Sequence, residues 1–229
     1  GVNYLIVCAL KSGHEYKDDW SMPGKVYAAV LPDDLSGFDE EHQLSLQVIR
    51  GNMLKNHGYY KVTEDGVDQC LISCDDGVYR FTPPESEEQD WTVEKLVDEA
   101  ASDAVLVDLD QDGEKELILI SPFHGEHIYF YKKIDGAYKK VYTYDTADFA
   151  HAIYGGTLLG KPAVIIGHRK GERNLLLFTW EQEKGQYQVE ILDRDCGPAN
   201  VFKYERGTEE VLISTNREID EVAMYTFEK

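Results

Sequence analysis

In residues 104–119, AVLVDLDQDGEKELIL, Asp108, Asp110 and Asp112 alternate, Gly113 follows and Glu116 closes the run. A hard cation such as calcium takes about six to eight oxygens at short range. Carboxylates at the first, third and fifth positions, a tight turn at the sixth and an acid at the ninth can wrap one ion. An EF-hand would need flanking helices and a glutamate at the twelfth position. Here the twelfth residue is Leu119 and both flanks are apolar and strand-like. The plainer alternative is an acidic β-turn that holds no ion. A bound ion would pin the turn and relieve repulsion among four carboxylates.

A second group of chemically capable residues is scattered. His124 and His127 lie in SPFHGEH, His168 and Arg169 in GHRKGER, and Asn216 and Arg217 in TNREIDE, while His57, Asp103, His151 and Asn200 stand alone. Imidazoles serve as bases or metal ligands, and forked guanidinium groups recognise carboxylates. His57, His151 and His168 with Asp103 would offer a zinc-type ligand set, but they are far apart in sequence. No GxSxG, Walker loop or HExxH is present, so any site must be assembled from distant loops.

The elements that would assemble it repeat. Leu71-Ile72-Ser73, Leu119-Ile120-Ser121, Ile165-Ile166-Gly167 and Leu212-Ile213-Ser214 follow one another at steps of 48, 46 and 47 residues, and Leu5-Ile6-Val7 starts the series. Each triplet is followed by two further strand-like runs, one only in the last unit, and, after the first unit, preceded by another. Four short strands per unit at this spacing predict a β-propeller. The expected blades are about 1–50, 51–98, 99–146, 147–195 and 196–229 of an all-β domain with five four-stranded antiparallel sheets, with three strands as the alternative for the terminal ones. An extended β-sandwich is the alternative. The first blade carries insertions at His14–Gly24 and Asp33–His42; Trp20, in the first of them, is the expected exposed aromatic. Most of the 15 tyrosines fall in strands and are expected to fill the space between blades.

With the strands of a blade labelled A to D, VDLDQDGEKELILIS resembles the FG-GAP/VCBS type of propeller repeat. In that repeat a D-x-D-x-D-G-x-x-[DE] loop joins strands A and B and binds calcium. The matching turns at Glu64-Asp65-Gly66, Leu159-Gly160-Lys161 and Glu205-Arg206-Gly207 lack the acids. The resemblance implies side-chain ligands from Asp108, Asp110, Asp112 and Glu116, a backbone carbonyl from Glu114, and a structural calcium. Members of the family include integrin-type propellers and propeller domains of polysaccharide lyases and sugar dehydratases. The segment HAIYGG is also similar to sugar-dehydratase-like propellers.

Blade topology sends A–B and C–D loops to one face and B–C and D–A loops to the other. The acidic loop belongs to the first face. His57, Asp103, His124, His151, His168, Arg169, Asn200, Asn216 and Arg217 map to the second. They could hold a polar ligand, above all a carbohydrate or sugar acid. A lyase- or dehydratase-type enzyme would use His151 as base, with Arg169 and Arg217 neutralising an enolate. A protein-interaction propeller with no small ligand is the third reading. Each residue also has a structural role open to it. His124 and His127 could be solvated turn residues, and Arg169 and Arg217 could bridge blades to Glu172, Glu218 or Asp220.

The formal charge of −20 argues against nucleic acid or an anionic membrane as partner, because both need basic patches. A hydrophobic content of 42% is that of a folded chain and not of an acidic tail. No apolar run reaches the ~18 residues of a membrane-spanning helix, and no signal peptide is visible. Cys8, Cys70, Cys74 and Cys196 form no CxxC pair. Cys70 and Cys74 on one strand would lie roughly 13 Å apart, too far for a disulfide. Free thiols point to a reducing, cytoplasmic setting.

Overall fold

The computed structural model describes residues 2–13, 16–86 and 89–228. Two compact units divide the chain, Gly1–Ala100 and Ala101–Lys229. In the first, β1 (Tyr4–Cys8), β2 (Gly24–Val30) and β3 (Gln47–Met53) form one antiparallel sheet. A second consists of β4 (Gly58–Glu64), β5 (Val67–Cys74), β6 (Gly77–Thr82) and β7 (Thr92–Val97).

The second unit holds three sheets. The first is β8 (Asp103–Val107), β9 (Glu116–Ile120), β10 (Ile128–Ile134) and β11 (Ala137–Tyr144). Next come β12 (Ala150–Leu158), β13 (Lys161–His168), β14 (Leu175–Glu181) and β15 (Gln186–Asp193). The last is β16 (Pro198–Arg206), β17 (Glu209–Asn216) and β18 (Glu221–Glu228). Every sheet is a meander of consecutive antiparallel strands, three in the terminal sheets and four in the others. This is the five-blade pattern that the repeat predicts, and it excludes the extended sandwich. Among the described residues the only helical element is a 3₁₀ turn, Arg217–Ile219.

The apolar triplets at 71, 119, 165 and 212 occupy the second strands of their blades, and Leu5-Ile6-Val7 lies in β1, the first strand of its blade. All five residues of β9 are buried, as are the last six of β13. A short run that is apolar without alternation is what a strand buried on both faces requires. The outer strands β7, β11 and β15 alternate or are largely exposed, as suits the edge of a sheet. Strand ends differ from the expected ones where bulges intervene. β12 starts at Ala150 because His151 is an extra residue between the pairs Ala150–His168 and Ala152–Gly167. The third strand of the first blade runs Gln47–Met53.

Within the first unit, Val26, Met53, Ile72, Tyr79 and Phe81 make one core. Trp20 is half-buried, with the Lys11 and Lys55 ammonium groups 4.8 and 5.6 Å from its ring. It is therefore not the exposed aromatic the sequence suggested. His14 lies outside the described residues.

In the second unit the inner strands approach closely. A Cβ on Gly155 of β12 would stand 2.8 Å from the Val105 and Val107 side chains of β8. Farther out, Phe130 packs against Tyr142 (5.2 Å), Phe178 (5.4 Å) and Tyr187 (4.6 Å), joining two blades. The expected inter-blade role of strand tyrosines holds here. All four cysteines are free, and burial raises the thiol pKa values of Cys8 and Cys196 to about 11.

Phe130 is fully buried, so Phe130→Ala should destabilise the chain by roughly 3–5 kcal/mol. Urea unfolding of the full chain measures this. A loss under ~1 kcal/mol would mean that the aromatic seam does not bind the two blades together.

Candidate functional site

In the second unit the B–C and D–A loops are knitted by main-chain hydrogen bonds. The loop between β11 and β12 donates from Ala147 to Glu126 O (3.1 Å) and from Ala150 to Gly125 O (3.0 Å). It accepts from Arg169 at Phe149 O and from Lys170 at Asp148 O, each at 3.0 Å. The loop between β15 and β16 is tied likewise, through Cys196 N–H and Gly197 N–H to Arg173 O, both 2.9 Å. The B–C turn at 121–127 is held by Ser121, whose Oγ accepts from His127 N–H at 3.1 Å. A Cβ on Gly125 would lie 2.0 Å from that Oγ, so only glycine lets the turn close.

This lattice presents a stack of rings. His124 lies 4.7 Å from Phe149 at 24° and 4.7 Å from His151 at 13°, and Phe123 packs on it at 4.2 Å. Arg169 and Lys170 sit over Phe149, with the guanidinium carbon at 4.9 Å and the ammonium at 5.1 Å from the ring. His124 and Phe149 both have left-handed backbone, at φ 57° and 59°. For a bulky residue that conformation is uncommon and costs of order 1–3 kcal/mol, and such outliers gather at functional sites.

His151 occupies the bulge of β12, a device that re-aims a side chain. Its Nδ1 lies 2.7 Å from Ala199 O. A carbonyl only accepts, so Nδ1 carries the hydrogen and Nε2 is the basic nitrogen of the neutral ring. Arg169 donates through Nε and an Nη to Glu218 at 2.8 and 2.6 Å. That is the inter-blade bridge, and it takes the fork that an enolate would need. The arginine in turn holds the Glu218 carboxyl below the usual carboxylate range.

The other expected residues have partners of their own. His168 is buried, with Nδ1–H donating to Lys170 O (2.9 Å) and Nε2 accepting from Asn174 N–H (3.1 Å). Both nitrogens are hydrogen-bonded within the chain, and burial lowers its pKa. Asn216 is buried and bonded to Ser214 (2.6 Å) and Glu221 (2.9 Å). Arg217 is exposed on the 3₁₀ turn, and Asn200 is exposed on β16. His127 pairs with Asp145 at 3.2 Å. His57, in the first unit, is half-buried and donates its N–H to Ser73 O at 3.2 Å. Asp103 starts β8, accepts from Ala104 N–H at 2.9 Å, and is pushed by burial up to about 7. Phe149 and Lys170 were not anticipated. An aromatic one residue before a strand carries no signal of the left-handed turn that exposes it.

The acidic loop lies at the A–B end. Each carboxylate gives one oxygen to the main chain. Asp108 Oδ2 accepts from Gly113 N–H (3.1 Å), Asp110 Oδ1 from Asp112 (3.3 Å), Asp112 Oδ1 from Glu114 (2.9 Å) and Glu116 Oε2 from Leu109 (2.8 Å). Oxygens of Asp108, Asp110 and Glu116 lie within 4.8 Å of one another. Asp108 Oδ1 is buried without a hydrogen-bond partner. Burial pushes Glu116 up to about 7, and the charges of Asp108 and Asp112 add to the shift. An orphaned buried oxygen among converging carboxylates fits a hard cation. The Lys132 ammonium is also there, bonded to Asp110 and 3.6–3.7 Å from Glu116 and Asp112. Glu114 turns its side chain away, 3.9 Å from Lys133.

Comparison with solved structures bears on the fold. A putative 6-phosphogluconolactonase from Bacteroides fragilis superposes with a TM-score of 0.51 at 12% identity, over 89% of this chain and 65% of that one. The fold is a β-propeller. A leech intramolecular trans-sialidase, complexed with 2,7-anhydro-Neu5Ac, gives a TM-score of 0.51 at 13% identity, over 90% of this chain and 36% of that one. This chain thus spans less than two thirds of the length of either propeller-fold structure. No protein-family model matches the sequence, the FG-GAP/VCBS type included, and no curated protein matches it.

Asp103 gives a pH test. A carboxyl raised to about 7 in the fold binds more protons folded than unfolded between pH ~4 and ~7. Its contribution to stability is therefore lost as pH rises through that window and stays lost above it. Asp103→Asn should raise Tm at pH 8, and the difference should vanish near pH 4. Parallel Tm–pH curves for the two proteins would show that Asp103 titrates normally.

Proposed function

We propose that this propeller binds a carbohydrate-class acid at the B–C and D–A loop face of its second unit. The observation that carries this reading is the His124–Phe149–His151 stack, maintained at two left-handed backbone positions and rimmed by cations. Sugar rings pack on aromatic faces, while a few placed polar groups fix their orientation. An acid group needs a cation. Because Arg169 is engaged by Glu218, Lys170 takes that role, and Arg169 orients Phe149 from the side. His151 Nε2 accepts a sugar hydroxyl. The two structural neighbours, described as a putative 6-phosphogluconolactonase and as a trans-sialidase complexed with 2,7-anhydro-Neu5Ac, support the ligand class.

The lyase or dehydratase reading keeps one supporting feature, the fixed tautomer of His151. It lacks a guanidinium pair for the enolate, so recognition without turnover is preferred. A protein partner has no comparable feature at this face. The acidic loop, on the other set of turns, is proposed as a structural calcium site. Asp108, Asp110, Asp112 and Glu116 would hold the ion, with the Glu114 carbonyl added by analogy to the repeat. Bound there, calcium would supply charge neutralisation and no chemistry.

Thermal shift and calorimetry with galacturonate, gluconate and N-acetylneuraminate test the site. At least one sugar acid should stabilise the wild type by mass action. Phe149→Ala and Lys170→Gln should weaken binding at least tenfold, and Asp110→Asn should leave it unchanged. Equal binding by all four proteins would place the ligand elsewhere, and no response from the wild type would reject the ligand class.

A further inference from the structure

Lys132 has no part in the calcium loop as the sequence describes it, yet its ammonium stands where the loop's oxygens converge. It is carried by β10, one residue beyond the Tyr131–Leu117 pair, and so beside Glu116. Three of the oxygens left over after main-chain bonding face it: Asp110 Oδ2, Asp112 Oδ2 at 3.7 Å and Glu116 Oε1 at 3.6 Å. Asp110 and Glu116 have side chains only 9% and 1% exposed. Buried carboxylates at this density need a counter-charge.

The neighbouring blade closes over the arrangement. The Trp180 ring lies 5.0 Å from Lys132 Nζ, Tyr187 O–H donates to Glu116 at 3.4 Å, and Gln182 Nε2 donates to Asp110 O at 2.7 Å. A related device stands under the next A–B turn, where there are no acids to hold an ion. There Glu210 Oε2 accepts from Leu159 N–H at 2.8 Å and pairs with Lys203 at 3.0 Å, both side chains almost fully buried. Glu210 and Lys203 thus support that turn as a buried ion pair.

We propose that Lys132 is a tethered resident cation of the Asp108–Glu116 loop, which a divalent ion must displace in order to bind. The inference rests on the loop being a cation site. An ammonium makes contacts of about 2.7–2.9 Å to carboxylates, whereas calcium sits 2.3–2.6 Å from its oxygens. Two cations cannot share one set of oxygens at those distances. The Trp180 face offers the displaced ammonium a second seat. The loop is then neutralised and folded without metal, and calcium binds more weakly than the four carboxylates alone would allow.

Calorimetric titration of the full chain with calcium chloride, with Tm measured in chelator and in excess calcium, tests this. Lys132→Met should bind calcium at least tenfold more tightly than the wild type. It should melt below the wild type in chelator and recover in calcium. The double variant Lys132→Met/Asp110→Asn should lose the gained affinity. Equal calcium affinity in wild type and Lys132→Met would overturn the displacement while leaving the calcium site standing. No binding by either would overturn both. Should Lys132→Met fail to fold, the wild type suffices. Calcium should increase acetylation of Lys132 by an N-hydroxysuccinimide ester, read by peptide mass spectrometry. Unchanged labelling at saturating calcium would reject the proposal.

Discussion

A strand covered on both faces is largely apolar through its middle, so polar chemistry is displaced towards its ends and to its outer neighbours. In this chain β5, β9, β13 and β17 are such strands, most fully β9 and β13. Their burial sets the spacing of the repeat and places the apolar triplets in register. It also drives the charged residues of β7, β11 and β15 outward. Seams between blades are then filled by rings, Phe130, Tyr142, Phe178 and Tyr187 among them. With the strand interiors unable to carry function, the turns at the two ends are left to do so.

The two ends solve different problems. At the A–B end of the second unit, carboxylates are drawn together by main-chain N–H groups, and the resulting negative charge is met by Lys132. A chain with a formal charge of −20 has few cations to place, and this one is used for neutralisation. At the B–C and D–A end, main-chain bonds between loops hold His124 and Phe149 in left-handed backbone. There the cations lie over a ring, and one of them, Arg169, also ties two blades through Glu218. The first end is organised around charge balance, the second around the presentation of aromatic faces.

Much of the fold was legible because burial has a period. The triplets at 71, 119, 165 and 212 mark the second strands of their blades, and the four free cysteines agree with their spacing. The Asp108–Glu116 loop was legible too, since its pattern of acids is local. The candidate face was read only in part. His124, His151 and Arg169 do meet around one ring, whereas His168 and Asn216 turn inward to bond their own surroundings. Which way a polar residue at a strand end points depends on bulges and partners that periodicity does not record. The bulge at His151 is one instance and the Lys170 carbonyl that receives His168 is another.

By itself, then, the sequence determined the class of fold, the number and order of the blades, and the acidic loop, because each is written in local patterns of apolarity and charge. Only the tertiary structure decided that Phe149 and Lys170 join the candidate site and that Arg169 is held by Glu218. It alone brought the Lys132 ammonium to the carboxylates of the loop. These are contacts between residues some twenty to fifty positions apart, and they follow from how sheets stack and turns close, for which a linear chain carries no local mark.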